Sequence, residues 1–319
     1  MDVICLGILV ADIFANPVSA LPAAGQLSLT DRFLMSVGGC ASNTAVCLSR
    51  LGRKAKVLGK VGTDLFGGFV LDELRRLGVD CSSVASSTTH PTSATVILNV
   101  TGEDRRFLHC IGANADFSFA DVDCSLLDGA SILYVGGYMV MPKFGADDLT
   151  QLFHAAKQRQ VRTVLDVVTP PGLSMSRRQL ESMLAHTDVF LPNSDEAEAM
   201  TGLKDPARQA SFLSALNPAC DIVVTLGAHG SVAVRNGEII RAGTYAIQAV
   251  DESGAGDAFA AGYITSLLEG WSLEKSLRFA SAIGASSASA LGCTAGVFTL
   301  DEALAFTSRQ TLKIERIRL

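Results

Sequence analysis

Apolar residues in this chain fall into short unbroken runs, separated by longer stretches in which they recur every three or four positions. The runs at 3–9, 55–61, 132–135, 163–168, 189–192 and 222–226 are rich in valine, isoleucine and leucine. Unbroken apolarity over so few residues suits strands covered on both faces of a parallel sheet. The stretches at 42–51, 66–77, 146–160, 194–200, 207–216, 255–268 and 273–290 show helical spacing, and Gly52 and Gly78 close the first two. Strand and helix alternate for most of the length, which predicts an α/β fold: a mostly parallel central sheet with helices on both faces.

Two regions break this rhythm. Residues 27–36 and 93–111 alternate as strands do, with no helix between strands, and 101–104 (Thr-Gly-Glu-Asp) reads as the turn of a hairpin. A small β-sheet lid over the larger body accounts for them. The body is then expected over 1–12, 38–92 and 113–319, and the lid over 13–37 and 93–112. Ligands of open α/β folds sit beyond the carboxyl ends of the strands, where such a lid would close.

Composition narrows the function. At 319 residues, 48% hydrophobic and 18% charged, the chain is globular, with length for one large or two medium domains. A net charge of −6 argues against nucleic acid as a partner. No apolar run approaches the ~20 residues that span a bilayer, and the first seven residues carry no basic leader. The eight cysteines include no CxxC pair and sit among small and apolar residues, which points to free thiols in a reducing cytoplasm. The five histidines form no metal-binding pattern.

The densest chemical signal is Asp251-Glu252-Ser253-Gly254-Ala255-Gly256-Asp257-Ala258-Phe259. It lies between residues 244–250, which read as extended, and the apolar helix from 255. Gly254 and Gly256 allow close approach of the backbone to a ligand, and the free N–H groups of the helix start form an anion site. Asp257 would repel a mere anion there. It makes sense as a base that removes a proton from a nucleophile attacking a bound phosphate. A second glycine site, Gly38-Gly39-Cys40-Ala41-Ser42-Asn43, opens another helix and suits a hydroxyl-rich ligand. Asp12, soon after the first strand, and Asn114, at the exit of the lid hairpin, could add polar contacts. Asn193 and Glu196 fit either a capping box or an amide and a carboxylate serving hydrated Mg²⁺. Thr225-Leu226-Gly227-Ala228-His229-Gly230 fits either a hairpin turn or a nucleotide contact.

In this order and at these distances, the four pieces resemble the ribokinase-like (PfkB) carbohydrate kinase family over essentially the whole chain. The resemblance implies a ribokinase-like three-layer α/β/α sandwich and ATP-dependent phosphorylation of a sugar. Residue by residue, it implies Asp257 as the base and the N–H groups of Gly254, Ala255 and Gly256 as the anion hole. It implies Asp12, Gly38, Gly39, Asn43 and Asn114 at the sugar, Asn193 and Glu196 at Mg²⁺ and the ATP phosphates, and Thr225, Gly227 and Gly230 at the nucleotide. Many members also bind K⁺, and Asp251 and Ser253, with residues 288–296, occupy that loop. Val10 stands where ribokinases carry an asparagine, and the acidic sugar ligand of ribokinases is missing from 133–138, so a hexose, ketose or sugar acid is expected ahead of ribose. Gly136-Gly137 would leave room for the larger ligand, and Arg105 and Arg106 in the lid either face an acidic sugar or pair with Glu103 and Asp104. An adenosine-type nucleoside kinase is the alternative enzyme. A non-catalytic sugar- or nucleotide-binding regulator is the alternative of another class, disfavoured by the intact Asp257. A homodimer through the lid is expected, with Ala94–Val100 as the apolar edge.

Overall fold

The computed structural model describes residues 1–101, 103 and 106–317; Gly102, Asp104 and Arg105, which belong to the expected hairpin turn and the lid arginines, lie outside the described residues. The first half of the chain contains β1 (Val3–Gly7), β2 (Val10–Val18), β3 (Arg32–Gly38), α1 (Cys40–Arg50), β4 (Ala55–Leu58), β5 (Lys60–Gly62), α2 (Leu65–Arg76), β6 (Ala85–Ser87), β7 (Ala94–Val100), β8 (Arg106–Cys110), β9 (Ile132–Tyr138) and α3 (Ala146–Gln158). The second half adds β10 (Arg162–Val167), α4 (Arg177–Leu184), β11 (Val189–Phe190), α5 (Ser194–Thr201), α6 (Pro206–Leu216), β12 (Asp221–Thr225), β13 (Ser231–Arg235), β14 (Glu238–Ala242), α7 (Ala255–Leu268), α8 (Leu273–Ser287), α9 (Leu300–Arg309) and β15 (Ile314–Ile317).

The main sheet runs β15-β14-β13-β12-β11-β10-β9-β1-β4, parallel from β12 through to β4 and antiparallel from β12 to β15. Its central strands are buried on both faces, as the unbroken apolar runs require; every residue of β1 and β9 is inaccessible or nearly so. One core lies between the sheet and α1, α7 and α8, the other between the sheet and α3 to α6. That is the three-layer α/β/α sandwich.

The lid is a separate sheet of order β3-β2-β7-β8. Strand β7 is flanked by β2 on one side and β8 on the other, so Ala94–Val100 is a central strand and not the edge it was expected to be. The edges are β3 and β8. The body–lid boundaries expected at 12/13 and 37/38 fall inside β2 and β3, and Asp12 therefore rides on the lid sheet.

Other elements depart from the periodicity for local reasons. The apolar run at 55–61 is two strands, because the chain turns at Gly59 and β5 leaves the main sheet to pair with β6. A side chain at Gly59 would come within 2.6 Å of the Gly7 carbonyl oxygen. Residues 244–250 form no strand; the segment is tied down where the Val250 and Asp251 N–H groups both donate to the Ala288 carbonyl. The room expected above Gly136-Gly137 is filled from below. A Cβ on Gly136 would lie 2.5 Å from the Tyr134 ring, and one on Gly137 would lie 2.8 Å from Ile8, so the pair serves packing between strands.

Gly7 shows how tight that packing is. It sits at φ 151°, and a Cβ there would lie 2.0 Å from the carbonyl oxygen of Gly136 on the neighbouring strand. Backbone cannot yield as a flexible side chain does. Gly7→Ala is expected to cost more than ~3 kcal/mol and to lower the thermal midpoint by at least ~5 °C, measured by calorimetry; an unchanged midpoint would refute this close approach.

Candidate active site

The two glycine motifs meet. Helix α1 begins directly after Gly39, which has φ 92° and would put a Cβ 2.4 Å from the Ile8 carbonyl oxygen. Helix α7 begins after Gly254, in the left-handed region at φ 76°, with the Cys293 carbonyl where its Cβ would be. The two helices pack side by side, and Asn43 Nδ2 donates to Asp257 Oδ2 at 2.8 Å. Thr44 Oγ1 also approaches the Asp257 carbonyl at 3.4 Å. Asn43 Oδ1 is left buried and without a hydrogen-bond partner, an acceptor in want of a donor.

Asp257 lines a cavity of about 160 Å³ together with Cys40, Asp166, Asn193, Glu196 and Thr225. Cys40 Sγ and carboxylate oxygens of Asp166 and Asp257 lie within 4.8 Å of one another. Burial pushes all three carboxyls above the ordinary range, most of all Asp166, with the Asp257 charge adding to the rise at Asp166 and Glu196. Glu196 is pushed up to about 7. At Asp257, burial dominates and the hydrogen bonds from Asn43 and Cys40 pull partly back. Among the described residues that line the cavity, none is basic. Three carboxylates with no fixed counter-charge form a site suited to a divalent cation bound through oxygen and water.

Asn193 and Glu196 do form the capping box: Asn193 Oδ1 accepts from the Glu196 N–H at 2.9 Å, and Glu196 Oε2 accepts from the Asn193 N–H at 2.8 Å. Both also face the cavity, so the cap and the cation readings describe the same residues. Thr225, at the end of β12, lines the cavity too. Gly227 and Gly230 lie in the turn that follows, and Gly230 is required there because a Cβ would lie 2.0 Å from the Ala242 carbonyl oxygen.

On the other side of Asp257, Asp12 stands against the glycine pair; a Cβ on Gly38 would lie 1.9 Å from Asp12 Oδ2. Burial is the main cause that raises the Asp12 carboxyl to about 6, against a hydrogen bond from Thr95. Cys293 Sγ lies 3.9 Å from Asp12 Oδ2. Asn114 does not join this group. Its Oδ1 accepts from the Leu9 N–H at 3.2 Å and its Nδ2 donates to the Leu9 carbonyl at 3.0 Å, so its amide is committed to holding the backbone between β1 and β2. Ala255, one of the three expected anion-hole donors, has its N–H turned toward the Glu252 carbonyl at 3.3 Å, whereas Gly256 has open space where a side chain would be. The loop of Asp251 and Ser253 meets the 288–296 segment: Asp251 accepts from the Ser253 N–H and from the Gly292 N–H, each at 3.0 Å.

Two residues of the cavity escape a reading of the motifs. Asp166 is the one charged residue in the apolar run 163–168, and that isolation was its signal. Its carboxylate accepts from the Tyr134 hydroxyl at 2.7 Å. Cys40 stands inside the first glycine motif, with no neighbour in sequence to mark its contact with Asp257.

Comparisons with known proteins agree on the kind of chain this is. The profile of the pfkB family carbohydrate kinases matches residues 1–299. The 2-dehydro-3-deoxygluconokinase of Bacillus subtilis is 28% identical, covering 97% of this chain and 96% of its own. The ribokinase of Haemophilus influenzae is 26% identical over 88% of this chain and 90% of its own. The structure of Arabidopsis thaliana ribokinase complexed with ribose and ATP superposes with a TM-score of 0.80 at 25% identity, covering 96% of this chain and 98% of that one.

A carboxyl whose pKa is raised by folding binds its proton more tightly in the folded state. It favours folding below its unfolded pKa, and that contribution is lost as pH rises through the folded value. For Glu196 the window runs from about 4.5 to about 7. Glu196→Gln keeps the capping geometry and removes the charge, so it is expected to raise the thermal midpoint at pH 8 by ~2–4 °C and to leave it nearly unchanged at pH 4. Equal shifts at both pH values would contradict this.

Proposed function

This chain belongs to the pfkB family of carbohydrate kinases, and from that premise we propose that it transfers the γ-phosphoryl group of ATP to a hydroxyl of a hexose, ketose or sugar acid, with Asp257 as the base. The observation that carries the reading is the 2.8 Å hydrogen bond from Asn43 to Asp257 at the head of α7. It fixes the orientation of a buried carboxylate between a hydroxyl-binding side, Asp12 and Gly38, and a phosphate-binding side, Gly256 and the α7 N-terminus.

In this reading the acceptor lies between Asp12 and Asp257, and the unpartnered Asn43 Oδ1 accepts one of its hydroxyls. Asp257 takes the proton of the attacking hydroxyl. The hydroxyl oxygen forms a bond to the γ-phosphorus as the bond from that phosphorus to the bridging oxygen of ADP breaks. The backbone N–H groups of Gly254 and Gly256 stabilise the equatorial oxygens from the positive end of α7, and the Ala255 N–H, turned toward the Glu252 carbonyl, would have to leave it to join them. Raised basicity suits Asp257 to this step, because burial strengthens it as a base while the Asn43 amide holds it ionised. Glu196 and Asp166 would hold Mg²⁺ with Asn193 beside them, and the ion would supply the positive charge that the cavity lacks. Thr225 stands at the nucleotide side. The junction of Asp251 and Ser253 with residues 288–296 would hold K⁺, and through Gly254 it would brace the anion hole.

Dimerisation is proposed through the outer face of the lid. Phe33 and Met35 on β3 and Leu108 on β8 are exposed there, on the face opposite to that of Asp12. Light scattering is expected to give twice the monomer mass, and Phe33→Asp combined with Leu108→Asp is expected to give the monomer. A wild-type monomer at high concentration would refute the interface.

The catalytic reading is tested with a panel of sugars and nucleosides in Mg·ATP, in KCl and in choline chloride. Wild type is expected to phosphorylate a sugar, faster in KCl. Asp257→Asn is expected to lose ~10²–10⁴-fold in kcat with little change in KM. Turnover that survives in Asp257→Asn would remove the aspartate from its role, and turnover of nucleosides alone would overturn the acceptor class.

A further inference from the structure

A second cavity, of about 740 Å³, is larger than the one at Asp257. It opens between the lid and the loop that precedes α7. Asn16 of β2, Arg32 of β3 and Asn99 of β7 line it from the lid, and Asp251 and Glu252 from the body. Strand alternation relates it to the proposed acceptor site. Asp12, Phe14 and Asn16 share one face of β2, and that face looks toward the body, because Asp12 meets Cys293. Register across the lid places Ser36 and Thr95 beside Asp12, then Leu34 and Ile97 beside Phe14, then Arg32 beside Asn16. The inner face is therefore polar at the acceptor end, apolar in the middle and polar again at the far end. Four residues of strand, ~13 Å, separate the two polar rows.

The far row has unmet valences of a particular kind. Asn99 Oδ1 is buried without a partner, so it calls for a hydrogen-bond donor such as a hydroxyl. Arg32 pairs through its backbone with Asn16, while its guanidinium makes no hydrogen bond or ion pair with a described residue. Of the acids that line the same cavity, Glu103 and Asp251 are engaged, and Glu252 is solvent-exposed, as Arg32 itself is. Glu103 pairs with Arg106, and the Asp251 carboxylate accepts from the backbone N–H groups of Ser253 and Gly292. The pairing of Arg106 with Glu103 also takes that arginine out of contention for a substrate anion. A ligand that satisfies both Asn99 and Arg32 carries hydroxyls and an anion.

We propose that Arg32, with Asn99 and Asn16, selects acceptors that bear an anionic group at the end remote from the attacking hydroxyl: an open or ring sugar of five or six carbons ending in a carboxylate or a phosphate ester. The assignment rests on the reading of Asp12 and Asp257 as the acceptor site. Arg32 is then a specificity-determining residue and takes no part in the phosphoryl step. Its contribution is made equally to ground state and transition state, so it governs KM.

Two matched pairs of acceptors separate charge from shape. Fructose is compared with fructose 6-phosphate, and 3-deoxyfructose with the acid that has a carboxylate in place of its C1 hydroxymethyl group. In one pair at least, the charged member is expected to have the higher kcat/KM by tenfold or more. Arg32→Gln is expected to remove ~10–100-fold of that advantage, through KM, and to leave the neutral partner unchanged. Arg32→Lys should retain part of it. The pair that responds identifies the anion as phosphate or carboxylate. If neutral acceptors are phosphorylated as well as their charged partners, or if Arg32→Gln lowers both alike, the assignment fails while the kinase reading stands. If no member of these pairs and no sugar of the wider panel is phosphorylated, the kinase reading fails and the assignment fails with it.

Discussion

A single hydrogen bond, from the amide of Asn43 to the carboxylate of Asp257, ties together residues 214 apart in sequence. Everything around it is arranged so that α1 and α7 can start at the same place. Two glycines at positive φ, Gly39 and Gly254, let each helix begin against backbone where no side chain fits. Small residues along both helices, among them Ala41, Ala45, Ala258 and Ala261, let the axes lie close, and all are fully buried. The contact is thus supported by packing over several turns, and the carboxylate has little freedom to turn away. Pre-set orientation of this kind is where enzymes gain most for transfers that need little covalent chemistry.

The same site is electrostatically uncomfortable. Asp166, Glu196 and Asp257 share a small cavity with no basic residue among the described residues of its lining; burial holds each above its ordinary pKa, and the Asp257 charge adds to the rise at Asp166 and Glu196. A protein selected for stability alone would have neutralised that charge, as Lys60 does for Asp116 and Asp121 elsewhere in the chain. Leaving it uncompensated makes the folded state pull on cations, and the cost is borne whenever none is bound. The Tyr134 hydroxyl on Asp166 offsets part of it.

The central strands could be read from sequence because burial on both faces leaves no polar residue to confuse the pattern; β1 and β9 are the clearest cases. Strand β2 could not, since Asp12, Asn16 and Pro17 break its apolarity for reasons of contact and not of secondary structure. The antiparallel extension of the sheet was legible in principle. Asn236-Gly237, both at positive φ, joins β13 to β14, and that dipeptide between alternating residues is a strong hairpin signal. A criterion tuned to two-face burial passes over it. Of the residues that the structure brings together around Asp257, those held in a motif could be picked out from sequence, at Asn43, Asn193, Glu196 and Asp257. Residues whose role depends on a distant partner could not: Asn114 carries the right chemistry but is used by Leu9, and Gly136-Gly137 yields its space to Tyr134 and Ile8. Small and amide residues serve packing and ligands equally well, and only three-dimensional neighbours tell which.

The grip of Asn114 on Leu9 has a mechanical meaning. It clamps the chain just where β1 of the body becomes β2 of the lid. If the lid turns about that clamp, displacement grows with distance from it. Asp12, three residues beyond Leu9, would hardly move, while Asn16 and Arg32 lie farther out along the arm. The inner end of the lid is then a fixed gauge for one part of a ligand, and the outer end a pointer that swings with its length.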